Sequence, residues 1–384
     1  MTAPRRLLTI GHSYCVRRNR ELAEALHVAG EGAWKVTVVA PAQFPGDFGP
    51  IMTERDAAER IDLRTLPVHH ARWIHLMRYG RGLARVLDEP WDVVHCWEEP
   101  YVLAGAQIAR ARRAPSALVY ATFQNILKRY PPPFAAIERS SMRRARGWIA
   151  FGHTIEAALA ARRPYATRPH AVIPFGVDVV RFSPDAVAGH ALRARIGWPS
   201  DGPPVVGYLG RFVEEKGLGL LLEALTMLQQ RGIAWRALFV GGGPLEPQLR
   251  AFAERHAGRV VVRTEVSHDE VPDHLRAMDV LCVPSQTTAR WREQFGRMII
   301  EAFACGVPVV GSSSGEIPHV IGEAGRVIDE RDAAGWARTL AELLGDEVER
   351  RALGALGRER AESVFAWPVV ARQHLAFFER ILSS

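Results

Sequence analysis

Short, nearly continuous apolar runs alternate along the chain with longer stretches in which apolar residues recur every three or four positions. The first kind suits a strand buried on both faces, and the second an amphipathic helix packed on it. The pattern predicts strands near 7–11, 35–40, 63–67, 92–96, 117–122, 148–151 and 170–174, with helices such as 19–29, 75–88 and 102–112 between them. In the second half it predicts strands at 205–210, 235–241, 260–263, 280–284 and 307–311. Strand–helix alternation of this kind builds open parallel sheets. Residues 175–204, punctuated by prolines and poor in apolar periodicity, separate the two series and mark a domain boundary. The reading is α/β, with two doubly wound, Rossmann-like domains facing each other across a cleft. Ligands are then expected where the C-terminal ends of strands meet helix N-termini.

Composition narrows the function classes. A hydrophobic fraction of 48% over 384 residues, with a mean hydropathy of −0.06, fits a packed chain and excludes whole-chain disorder. No window approaches the ~18 uninterrupted apolar residues of a membrane span, and no secretory h-region follows Met1, so a cytoplasmic protein is expected. Cys15, Cys96, Cys282 and Cys305 are too dispersed for a zinc site or disulfide framework and read as buried thiols. The net charge of +7 comes from 46 arginines and three lysines against 42 acidic residues. These arginines are scattered and form no basic block, which argues against nucleic acid and leaves an anionic substrate or an anionic membrane surface. Basic residues beside aromatics, Arg78, Arg81 and Arg85 after Trp73 and Leu76, and Arg143, Arg144 and Arg146 near Trp148, would suit such a surface. A solvated face explains them equally well.

Two segments of the second half carry chemistry. In Val205–Gly217 a strand ends at Gly210, a loop presents Arg211 and Lys216, and a helix starts near Gly217. Two cations beside the free N–H groups of a helix start suit a diphosphate; a solvated loop accounts for the same residues. In the second segment Glu293-Gln294-Phe295-Gly296 precedes a helix whose Ile299, Ile300, Phe303 and Ala304 form one apolar face. Glu301 sits among them, and a carboxylate in such surroundings needs a specific partner. A vicinal diol, as on ribose, offers two donors. In the first half, Gly11-His12-Ser13 follows the first strand, Glu98-Glu99-Pro100 follows the fourth, and Gln124-Asn125 follows the fifth. All three lie at the strand ends where ligands bind, and each is also explained by ordinary turn and capping chemistry.

Taken together, these segments resemble the retaining nucleotide-sugar glycosyltransferases of the GT-B superfamily, in particular family 4. The resemblance extends over Ile173-Pro174-Phe175-Gly176-Val177-Asp178, Gly241-Gly242-Gly243-Pro244 and Gly315-Glu316-Ile317-Pro318, in the family's order. It implies a GT-B fold with domains 1–175 plus 367–384 and 176–366, the amphipathic segment 367–382 returning to the first. It implies that Gly210, Arg211 and Lys216 bind the donor diphosphate and that Glu301 binds the ribose. Glu293, with the Phe295 and Gly296 backbone, would meet the donor sugar. The catalytic set would be Arg211, Lys216 and Glu293, with the cations in place of a metal ion and no cofactor. Retention would proceed at one face of the sugar, a phosphate oxygen taking the acceptor proton. Gly11, His12, Glu98, Glu99, Gln124 and Asn125 become candidate acceptor or sugar contacts; relatives carry a histidine where Gln124 and Asn125 stand and a second glycine in the first loop. The implied partners are a nucleotide sugar and a glycan or lipid-linked envelope acceptor.

Other functions in the same architecture stay open. A nucleotide-sugar epimerase needs acid and base groups around the sugar, and a phosphorylase needs a pyridoxal lysine; neither set is apparent. A dinucleotide oxidoreductase would carry Gly-x-Gly-x-x-Gly after the first strand, where this chain has Gly11-His12-Ser13-Tyr14-Cys15-Val16. A non-catalytic scaffold of the same fold is the remaining alternative.

Overall fold

The computed structural model describes residues 3–46, 49–112, 115–199 and 201–383. The chain divides into two compact units, 1–174 with 367–384, and 175–366. Among the described residues each unit is built on one large parallel sheet. In the first, β1 (Arg5–Ile10), β2 (Trp34–Pro41), β3 (Asp62–Leu66), β4 (Val93–Cys96), β5 (Ala117–Thr122), β6 (Gly147–Ala150) and β7 (His170–Val172) lie in the order β7-β6-β5-β4-β1-β2-β3. In the second, β8 (Val205–Leu209), β9 (Arg236–Val240), β10 (Val260–Arg263), β11 (Val280–Val283), β12 (Val309–Ser312) and β13 (Gly325–Ile328) lie in the order β10-β9-β8-β11-β12-β13. All neighbouring pairs are parallel.

Both are doubly wound sheets, and in each the strand order reverses once. In the first unit β1 pairs with β2 on one side and β4 on the other, Leu7 lying opposite Val36 and Val93. In the second β8 is flanked by β9 and β11. Helices leave these central strands toward opposite faces, which opens a crevice at the strand ends between them. Alternation along the second sheet shows why both faces are buried. Leu238, Val240, Leu281 and Val309 pack with Ile299, Ile300 and Phe303. Val206, Ala237, Phe239, Val280 and Val310 pack on the other side with Leu221, Leu225 and Trp336.

Several expected elements differ. The predicted helix at 75–88 is instead a 3₁₀ turn (Ile74–Leu76), a short strand (Arg78–Tyr79) and a helix confined to Gly82–Leu87. The Gln107 side chain bonds both the N–H and the C=O of Tyr79, and the Gly80 N–H donates to Pro67 O, so tertiary partners outbid the helical ladder. The expected break at 175–204 contains a helix, Ala186–Arg195, capped by the Asp185 carboxylate on the Ala188 N–H. Pro308 has no N–H to donate, and the strand expected from 307 begins at Val309. Edge strand β13 and the hairpin Gln43–Gly46/Gly49–Met52, both largely exposed, lack the apolar run that reveals a central strand. The C-terminal helix Trp367–Ser383 belongs to the first unit, with the Trp367 indole N–H on Glu21 and Phe377 and Ile381 against Gly147. The four cysteines are free and buried. No described helix is long and apolar enough to cross a membrane.

Candidate active site

In the second unit the loops after β8 and β11 meet at the point where strand order reverses. After β8 the chain makes a 3₁₀ turn (Glu214–Lys216) and enters the helix Leu218–Gln230 through Gly217, at φ +68°. A Cβ at Gly217 would lie 1.8 Å from Pro284 O, so a glycine is required for the two loops to touch. The Gln286 N–H donates to Glu215 O and ties them together. On this frame the Lys216 Nζ lies 2.5 Å from Glu293 Oε2, which also accepts the Ser285 hydroxyl at 2.8 Å. The pair is buried, with side-chain exposures of only 10% and 8%. The Trp291 ring lies 5.0 Å from the same ammonium. Glu293 is also held through its backbone, its carbonyl accepting the Glu316 N–H.

Gly296 starts the helix Arg297–Ala304 at φ +83°, a conformation that strains any other residue. Phe295 is buried against Phe175 and Phe365, and Glu301 is buried one helical turn in, as its apolar neighbours required. Arg211 behaves differently. Its guanidinium is 63% exposed and lies 3.7 Å from Glu215, while its carbonyl accepts the Tyr208 hydroxyl. Lys216 and Glu293 are therefore brought together, and Arg211 stands in solvent at the end of the same strand. Ser285 and Trp291 were missed by sequence reasoning: Ser285 merely ends a strand, and Trp291 reaches Lys216 through a turn in which the Trp291 N–H bonds Thr288 Oγ1.

In the first unit the reversal point joins the loops after β1 and β4. Glu98 is buried and accepts three hydrogen bonds: the His12 N–H and the Tyr79 hydroxyl on Oε1, and His12 Nδ1 on Oε2. Both its oxygens are thus committed to protein donors, and it acts as the anchor of the Gly11–His12 loop. Glu99 turns elsewhere, its Oε1 accepting the Phe123 N–H while Oε2 is buried with no hydrogen-bond partner. Burial pushes its pKa up to about 8, the Glu138 and Glu98 charges adding to the shift. The group is consequently protonated at neutral pH. The Gln124 side chain donates to the Tyr101 hydroxyl, and the Tyr101 ring stacks on Tyr130 at 4.3 Å; Asn125 is buried. One surface expectation fails. Trp148 is fully buried, with its indole N–H on Tyr165 O, so it offers no exposed ring beside Arg143, Arg144 and Arg146.

Comparison with known proteins gives the chain's family. A family model described as Glycosyltransferase Family 4 matches residues 16–181, and one described as Glycosyl transferases group 1 matches residues 203–346. A 2-deoxystreptamine glucosyltransferase of Streptomyces kanamyceticus is 30% identical over 83% of this chain and 77% of its own length. The chain belongs to the family 4 glycosyltransferases. A GDP-mannose-dependent phosphatidylinositol monomannoside mannosyltransferase of Mycolicibacterium smegmatis is 35% identical over 53% of this chain, and the match spans about half (54%) of that relative. Sucrose-phosphate synthase of Thermosynechococcus elongatus shares the fold, with a TM-score of 0.73, 21% identity and 99% coverage of both chains. The architecture of this glycosyltransferase is thus GT-B, with a Rossmann-like sheet in each unit.

Proposed function

We propose that the chain transfers a hexose from a nucleoside-diphosphate sugar, with retention, to a hydroxyl of a glycan or lipid-linked envelope precursor. The observation that carries the donor half is the buried Lys216–Glu293–Ser285 cluster at the strand-order reversal of the second unit. Lys216 and Arg211 supply positive charge for a diphosphate whose own charge grows as it leaves. Glu293 and the Phe295–Gly296 backbone meet the sugar hydroxyls, and Glu301 meets the ribose. Because the two cations take the part of a divalent metal, turnover needs neither metal nor cofactor. In the ligand-free chain the Lys216 charge is neutralised by Glu293, so the donor must share Lys216 with that carboxylate.

A calorimetric panel of UDP, GDP, ADP and NAD without metal tests this. Selective binding of one nucleoside diphosphate is expected, whereas binding of NAD alone overturns the transferase reading. Glu301→Ala should weaken that binding by ~1.5–3 kcal/mol, a hydrogen bond to a charged group being lost. Lys216→Ala should depress turnover equally with and without magnesium; rescue by magnesium would refute the metal-free assignment.

The lipid-linked acceptor and a cytoplasmic location at the inner face of the plasma membrane draw support from one surface of the first unit. Trp73, Leu76 and Leu127 are 64%, 44% and 65% exposed, and the exposed Arg72, Arg78, Lys128 and Arg129 flank them. His75 joins the two segments, its ring 5.7 Å from Tyr101, which in turn stacks on Tyr130. Neither 67–81 nor 123–131 contains an acidic residue. Aromatic and apolar tips amid cations suit an anionic bilayer surface. Co-sedimentation with phosphatidylglycerol vesicles, but not with phosphatidylcholine vesicles, is expected, and Trp73→Ala with Leu127→Ala should abolish it.

A further inference from the structure

His12 was a candidate contact on sequence grounds alone, with nothing to say what it does or how. The structure shows how it is held. Its main-chain N–H and its Nδ1 are both bound by the Glu98 carboxylate, at 2.7 and 2.8 Å. That carboxylate is 1% exposed and receives a third bond from the Tyr79 hydroxyl at 2.8 Å. The Phe44 ring packs on the imidazole at 5.0 Å. Ring position, ring plane and the proton on Nδ1 are therefore all fixed from one side. The side chain remains 30% exposed. With Nδ1 committed, Nε2 is the nitrogen left to meet a ligand, and in the neutral ring it is an acceptor.

We propose that Glu98 and Tyr79 hold the His12 imidazole so that Nε2 accepts a hydrogen bond from the sugar-acceptor hydroxyl. This rests on the transferase reading above and deepens it. His12 is the residue that touches the acceptor; Glu98 and Tyr79 are positioning residues. The bond orients the hydroxyl oxygen before attack; as its bond to the sugar forms and the bond to the leaving diphosphate breaks, the proton passes to the departing phosphate oxygen.

The surroundings make this contact depend on pH in one direction. Burial pulls the His12 pKa down, but the charge and hydrogen bond of Glu98 outweigh it, and the net shift is upward from 6.5. The other titratable groups that feel the Glu98 charge are Tyr14, Tyr79, Cys96 and Glu99, and burial raises all four, so at neutral pH their neutral forms are favoured and do not counter it. On the adjoining turn Arg17 and Arg20 are paired with Asp56 and Glu59. Below its pKa the His12 ring carries a proton on Nε2 and can no longer accept.

The test uses the full chain, the donor identified by the binding panel, and two hydroxyl probes, water and glycerol. His12→Ala should bind the nucleoside diphosphate as the unsubstituted chain does, yet transfer sugar to either probe about tenfold more slowly or worse. Added imidazole should restore part of the rate. In the unsubstituted chain the rate should rise with pH through the His12 titration, followed independently by NMR. Glu98→Gln removes the charge that raises His12 and should move both the titration and the acid limb to lower pH, which a purely structural role would not do. Normal transfer by His12→Ala, or an acid limb unmoved in Glu98→Gln, refutes the assignment while the transferase reading stands. A native chain that turns over no donor refutes the transferase reading and this assignment with it.

Discussion

Removing either partner of the Lys216–Glu293 pair should cost more stability than removing both. At 2.5 Å and an effective dielectric of ~20, two unit charges attract by roughly 6–7 kcal/mol before desolvation is counted. Side-chain exposures of 10% and 8% leave little room for solvent to screen the survivor. A buried charge stripped of its partner typically costs about 3–5 kcal/mol, whereas a neutral pair of similar shape costs far less. Lys216→Met leaves the buried Glu293 carboxylate without its ammonium partner, and Glu293→Gln leaves the Lys216 ammonium facing an amide and the Trp291 ring. For a unit of this size each single substitution should lower the melting temperature by roughly 6–20 °C. The double substitution should recover much of that loss, for a coupling of about 2 kcal/mol or more. Calorimetric melting of the four chains provides the cycle. Additivity within about 0.5 kcal/mol would mean that the two groups do not act as a unit, and the electrostatic account of the site would be wrong.

Two further perturbations probe other parts of the argument. Gly217→Ala forces a Cβ to 1.8 Å from Pro284 O at φ +68°; a loss of roughly 3 kcal/mol or more is expected by urea denaturation, with weakened nucleoside diphosphate binding because the loop carrying Lys216 must move. His374 on the C-terminal helix is buried beside His95, and burial lowers its pKa from 6.5 to about 4. The unfolded chain thus binds the extra proton first as pH falls, and His374 should remove about 3 kcal/mol of stability between pH 6.5 and 4. His374→Phe should flatten that part of the stability profile, and an unchanged acid limb would refute the assignment.

Central strands were legible because nearly every residue in them is apolar, as burial on both faces demands. Edge strand β13 and the hairpin at 43–52 were not, because their residues are exposed and carry no such signature. The exceptional setting of Glu301 was legible for the opposite reason: a carboxylate buried among Ile299, Ile300 and Phe303 contradicts its local pattern. Ser285 and Trp291 contradict nothing in theirs. Tyr79 was worse than silent, since the local pattern favoured a helix and partners from elsewhere in the fold, the Gln107 side chain and the strand at Val68–His69, hold it extended. Without that extended segment the third donor to Glu98 could not have been foreseen.

At both reversals of strand order the same arrangement recurs: a basic side chain after the central strand meets a buried carboxylate that follows the neighbouring strand. Its chemistry differs between the units. The Lys216 ammonium pairs with the Glu293 carboxylate, and under the proposed function a diphosphate competes with that carboxylate for it. Glu98 raises the His12 pKa from its usual 6.5, and protonating the ring leaves the Nδ1 pairing with Glu98 in place while Nε2 changes from acceptor to donor. Under the proposed function the Lys216 site should therefore answer mainly to the ligand's charge and to salt, and the His12 site to pH. If raising ionic strength weakens nucleoside diphosphate binding while the pH profile of transfer keeps its midpoint, the two sites behave as their ionisable groups require; a midpoint that tracked salt as strongly as binding does would contradict that division.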